Sequence, residues 1–156
     1  MRKIFIFTMI LLSITSNCLA AIYPTNMVRW KRFLVNDVCS SFIDSFNYHS
    51  FRTNHKKSYN ETYLNHHIIS TWQWIIYSDE NILSLEPEQA YTLQHRIYDI
   101  DCNKITVKRI LTYDKNGNCI HDNSYDDFVV DGVPNSIAEE ELAMIDLYDT
   151  YLKTEK

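Results

Sequence analysis

The chain has 156 residues, 46% of them hydrophobic and 13% aromatic, and its 15 basic against 20 acidic side chains give a formal charge of −5. So much aromatic surface at so modest a charge excludes a disordered chain, and two glycines are too few for a Gly-rich phosphate loop. An acidic chain also lacks the electrostatic footprint of a general nucleic-acid binder, so no nucleic-acid partner is expected.

Residues 1–20 read as an export signal. Met1-Arg2-Lys3 is a short basic opening, residues 4–14 are apolar, and the small residue Ala20 closes the stretch. An apolar run this short does not span a bilayer comfortably. Cleavage is expected after Ala20, leaving a mature chain with no transmembrane segment. The alternative is a lipid on Cys18. It is disfavoured because Asn17 stands where bacterial lipoprotein signals carry Gly, Ala or Ser. Losing Arg2 and Lys3 leaves 13 basic and 20 acidic side chains, a charge of −7, on 136 residues. That length suffices for one buried core.

Residues 21–27 form a short leader. A loose alternation of Val28, Trp30, Phe33 and Val35 predicts a first strand over 28–35, and Asn36-Asp37 is a turn. Residues 39–51 predict a second strand, and the polar stretch 52–65 a loop. Residues 67–77 (HIISTWQWIIY) are rich in β-branched and aromatic side chains and give the strongest strand signal. Trp72 and Trp74 share one face of it and are expected in the core. The acidic stretch 78–89 reads as a loop around Pro87.

Strict alternation then predicts a hairpin of strands 91–100 and 105–113, joined by a turn at 101–104. Asp114-Lys115-Asn116-Gly117 is a second turn, with Gly117 at a position that favours positive φ. A last strand falls within 125–130. After Asp131-Gly132-Val133-Pro134-Asn135, a capping box of Ser136 and Glu139 opens a helix. Glu139, Glu140 and Glu141 suit its positive N-terminal end. Ile137, Leu142, Ile145, Tyr148 and Leu152 give it an apolar face. The fold class is α+β: about six antiparallel strands in one sheet, with the C-terminal helix packed on one face, in a single domain over 28–156.

Removing the signal leaves Cys39, Cys102 and Cys119. Export permits a disulfide, but an odd number leaves at least one thiol over. Cys102 and Cys119 sit about a strand length apart, roughly 30 Å, so their pairing is geometrically poor. Cys39 with Cys102, or Cys39 with Cys119, remain as the candidate pairs.

At the hairpin the residues resemble a known family. Tyr98-Asp99-Ile100-Asp101-Cys102-Asn103 is similar to the hairpin of the bacterial surface-adhesin E family. The sequel also resembles it: Thr112-Tyr113-Asp114, then Lys115-Asn116-Gly117, then Val133-Pro134-Asn135-Ser136 at the start of the helix. Arg29-Trp30-Lys31 and the strand around residues 69–76 match its aromatic strands, so the resemblance spans about residues 28–150. The resemblance implies an exported protein of the Gram-negative envelope, in the periplasm or on the cell surface. The family's named member is an adhesin for host matrix and serum proteins. Two departures stand out. Family members carry a second Cys near the end of the helix, which this chain lacks, and the 52–65 loop is longer.

Chemistry finds little support in the motifs. Adjacent strand residues point to opposite faces, so His66 and His67 cannot ligate one ion together, and no HExxH or CxxC is present. No metal or cofactor is expected. Without a GxSxG elbow or a cysteine-protease signature, no catalytic set is expected either. Arg52, His55, Lys56 and Lys57 form a basic cluster in an acidic chain and are the candidate binding residues for an anionic partner. The expected function is a non-enzymatic, exported binding domain that recognises protein or anionic partners, with an unprotected strand edge available for self-association. The alternative is a periplasmic inhibitor or immunity-type protein that blocks a partner enzyme.

Overall fold

A computed structural model describes residues 23–37, 39–55, 64–77 and 89–154. The expected signal, residues 1–20, lies outside them, as does the 78–88 part of the expected acidic loop. The chain runs β1 (Trp30–Val35), β2 (Cys39–Asp44), β3 (His49–His55), β4 (Leu64–Tyr77), β5 (Gln89–Asp99), β6 (Lys104–Asp114), β7 (Cys119–Asp131) and α1 (Ile137–Thr154). All pairings are antiparallel, in the order β1-β2-β4-β5-β6-β7, with β3 also paired to β4. The α+β architecture is as expected, with seven strands rather than six among the described residues.

The extra strand comes from two features. The expected single strand over 39–51 is broken by a bend at residues 45–47. There Asp44 Oδ1 accepts the amides of Phe46 and Asn47, which stops the ladder. The chain resumes as β3, which runs on to His55 through residues read as loop from their polarity. Every β3 residue pairs with β4, from His49 with Ser70 to His55 with Leu64, so residues 52–55 and 64–65 of the expected loop are strand, and its residues 56–63 lie outside the described ones. β4 is 14 residues long, so β2 can pair along its C-terminal half and β3 along its N-terminal half. β7 likewise begins at Cys119, six positions ahead of the expected start.

α1 packs on one face of the sheet. Ile43, Ile69, Tyr98 and Ile105 meet Leu142 and Ile145 there, beside Phe33 and Leu34. Ile145 is 0% exposed, and its truncation to Ala should cost about 2–5 kcal/mol. The helix opens as its sequence predicts. The Glu139 amide donates to Ser136 Oγ at 3.1 Å, and Glu139 Oε2 accepts the Asn135 amide at 2.7 Å. Ile137, expected on the apolar face, is instead 51% exposed at the first turn. α1 is not long and apolar enough to cross a membrane, nor is any other helix among the described residues.

Trp72 and Trp74 lie on the face away from α1. They are half-buried rather than central, because the helix sits over the opposite side of β4. Trp74 stacks on Tyr91 (4.4 Å between rings), Tyr91 on Tyr113 (4.8 Å), and Trp30 meets Trp74 edge-on. This cross-strand ladder closes a second cluster with Phe42, Ile76 and Ala90. Tyr23 of the leader packs edge-on against Phe42.

Among the described residues Cys39, Cys102 and Cys119 are free thiols, so neither candidate disulfide forms. The register gives the reason. Cys39 pairs with Tyr77 at one end of β4, whereas Ile68 pairs with Asp99, three residues before Cys102, at the other. That separation is about 30 Å. Cys119 lies at the Cys39 end but four strands across the sheet, about 19 Å away.

Candidate functional site

α1 covers only part of its face, and the remainder is an open trough. One half is a cleft of about 350 Å³ bounded by Tyr77, Thr92, Gln94, Thr112, His121 and Asn123. The other is a cleft of about 320 Å³ between the first turns of α1 and the sheet, walled by Ile105, Val107, Phe128, Val130 and Ala138. Gln94 and Ile110 line both, so the two are continuous. Strand alternation builds the lining from Thr92, Gln94 and Arg96 on β5 and, across its bulge, from Val107, Ile110 and Thr112 on β6, so that away from the helix the lining turns to Thr and Gln.

A bulge shapes the far wall. Between Val107 and Arg109 on β6 the partner positions on β7 jump from Phe128 to Ser124, so residues 125–127 stand opposite Lys108 alone. The Lys108 ammonium donates to the Asp126 carbonyl at 2.6 Å and holds the bulge. As a result Tyr125 and Phe128 sit together on the rim, ring centroids 5.6 Å apart and 37% and 49% exposed.

The floor carries a buried ion pair. Arg96 Nη1 donates to both Glu141 oxygens at 2.5 and 2.6 Å, and its Nε and Nη2 donate to Gln94 Oε1. The Tyr98 hydroxyl donates to Glu141 Oε1 at 2.6 Å. Burial opposes the Arg96 charge, but the Glu141 carboxylate outweighs it and raises the guanidinium further above its already high value. Burial beside Glu141 pushes the Tyr98 hydroxyl well up, so it remains a donor. Glu141 was expected only to complement the helix end. Its alignment with Arg96 and Tyr98 depends on how α1 meets the sheet, which no local motif encodes. Alongside, Gln73 is 1% exposed and its Oε1 has no partner.

A second polar group pins the far end of the helix. His67 Nε2 lies 3.0 Å from Asp149 Oδ2 and 3.1 Å from Ser50 Oγ, with Asp146 Oδ1 3.5 Å from Nδ1. Ser50 and Asp149 approach the same nitrogen, so the trio is not a nucleophile–base–acid relay. Tyr48 and Lys153 also donate to Asp149. Burial alone would raise that carboxyl, but the bonds from Lys153, Ser50 and Tyr48 overcome it and hold it below the ordinary carboxylate range. The cluster docks α1 on β3 and β4.

Of the predicted binding residues, Arg52 is exposed on β3, paired in register with His67, and His55 ends the same strand. The His55 side chain, Lys56 and Lys57 lie outside the described residues. Arg52 does not line the trough. His66 and His67 point to opposite faces as expected: His67 meets α1, and His66 meets Asp99 at 2.8 Å.

Compared with known proteins, the chain matches no family model, no curated protein and no solved structure.

Proposed function

We propose that this chain is a non-enzymatic, exported binding domain of the bacterial envelope that receives a segment of a partner protein in the trough beside α1. The observation that carries the reading is the rim pair Tyr125 and Phe128, exposed aromatics standing over a lining of uncharged donors and acceptors. Such anchors with polar groups around them are the usual makings of a recognition hot spot. The charged groups at the floor are bound to each other, which leaves shape and neutral hydrogen bonding to select the partner. The resemblance to the surface-adhesin E family adds export and host matrix or serum proteins as the partner class.

The test sets immobilised matrix and serum proteins against a periplasmic extract, using the wild type and a Tyr125→Ala/Phe128→Ala variant. Saturable binding to matrix proteins that falls at least tenfold in the variant supports the adhesin reading. One tight periplasmic partner, lost in the variant, supports the inhibitor or immunity-type reading instead. Equal binding by both forms removes the trough from either. An anionic partner remains the role proposed for Arg52, His55, Lys56 and Lys57. Heparin binding unchanged by Lys56→Glu and Lys57→Glu would overturn that role.

A further inference from the structure

We infer that His66, Asp99 and Cys102 form a site for one divalent transition-metal ion of the zinc class, on the face of the sheet away from α1. His66 Nδ1 lies 2.8 Å from Asp99 Oδ2 and 3.4 Å from Cys102 Sγ, and the three ligand atoms all fall within 4.8 Å of one another. Ligands around a tetrahedral zinc ion, bound at about 2.0–2.3 Å, stand roughly 3.3–3.8 Å apart. His66 Nδ1 therefore needs to part from each of the other two ligand atoms by less than about an ångström to admit the ion.

The positions are held by the fold rather than by a flexible loop. His66 lies near the start of β4, Asp99 ends β5, and Cys102 sits in the β5–β6 turn. The turn is clamped to β4 by the Ile100 amide on the His67 carbonyl (3.0 Å) and the His67 amide on Asp101 Oδ2 (2.6 Å). Asp99 Oδ1 accepts the Cys102 amide at 3.0 Å, which orients the carboxylate and leaves Oδ2 for the ion.

The donor set selects the class of metal. An imidazole, a thiolate and a carboxylate together suit zinc and its neighbours, whereas calcium and magnesium require oxygen ligands throughout. Three protein ligands leave a fourth position, and Cys102 at the exposed turn opens it to water. The ion would join β4 to the hairpin turn. Two adjacent histidines gave no sign of this in the sequence, because the second and third ligands arrive from 33 and 36 residues away.

The test is a cobalt(II) titration of the reduced, untagged protein, read by the thiolate-to-cobalt charge-transfer band. One ion per chain is expected, displaced by zinc, with a rise in the thermal midpoint when zinc is added. The band should vanish in Cys102→Ser and persist in Cys39→Ser/Cys119→Ser. His66→Gln, checked for folding by circular dichroism, should weaken binding at least tenfold. No band in the folded wild type, or a band that survives Cys102→Ser, overturns the assignment.

Discussion

Arg96 on β5 and Glu141 on α1 stand 45 residues apart in sequence and meet through hydrogen bonds of 2.5 and 2.6 Å, with 15% and 5% of their side chains exposed. A buried pair of this kind is weak evidence of net stability, but breaking one side strands the other charge. Glu141→Gln keeps an acceptor for Tyr98 and leaves Arg96 uncompensated, so it should cost about 3–5 kcal/mol. Adding Arg96→Met removes the stranded charge and should recover at least half of that loss. Urea midpoints of the two variants check the expectation, and equal destabilisation of both would refute it.

Gly132 is held by a close neighbour. A Cβ there would lie 2.6 Å from both terminal atoms of Asn103, whose amide nitrogen also donates to the Gly132 carbonyl. The Gly132 amide in turn donates to the Asn103 carbonyl at 2.8 Å. Gly132→Ala must push Asn103 aside and should cost about 1–3 kcal/mol, read as a lower thermal midpoint. Gly117, at φ 82°, should lose about 1–2 kcal/mol on substitution by Ala, for conformational rather than packing reasons.

Acid should weaken the fold through two carboxylates. Asp44 is fully buried and accepts bonds from Arg29, Asn47 and the Phe46 amide. Burial by itself would raise its carboxyl, but these bonds hold it below the ordinary range, as Asp149 is held. A depressed folded-state value adds stability that is complete above the unfolded value, about pH 4, and is lost as pH falls further through the folded one. Asp44→Asn and Asp149→Asn should each flatten the fall in urea midpoint between about pH 5 and about pH 2.5. An unchanged slope would exclude the carboxylate concerned.

Thiol reactivity should follow exposure. Cys102 and Cys119 are exposed and Cys39 is half-buried; burial pushes the Cys39 thiol up, and burial with Asp99 raises that of Cys102 as well, so access is what separates them. A metal-free chain of residues 21–156, which omits Cys18, treated with iodoacetamide without reductant should take two adducts quickly and the third only after unfolding. Intact mass reads this directly, and a mass showing a disulfide would contradict the register argument.

Gln73 offers the opposite sign. Its Oε1 is buried without a partner, so Gln73→Met should be neutral or stabilising by up to about 1 kcal/mol. A loss above about 2 kcal/mol in urea unfolding would mean that the amide makes stronger bonds than its Oε1 suggests.

What the sequence determined by itself was local. Alternation in residues 91–113 specified the β5–β6 hairpin, because a period of two admits no other buried face. Ser136 and Glu139 specified the start of α1, because a cap acts within four residues. Polarity misread residues 52–55, since an edge strand needs little apolar surface and takes its order from the β4 ladder. Tertiary structure alone decided which sheet face α1 covers. That choice left Trp72 and Trp74 half-buried on the other face, Trp74 in the aromatic ladder and Trp72 stacked on His95, and left the trough open beside Gln94. It also carried Glu141 to Arg96, while strand register brought Cys102 to His66. These contacts span 36 to 45 residues. Their geometry is set by register and helix docking, and neither leaves a periodic trace in the chain.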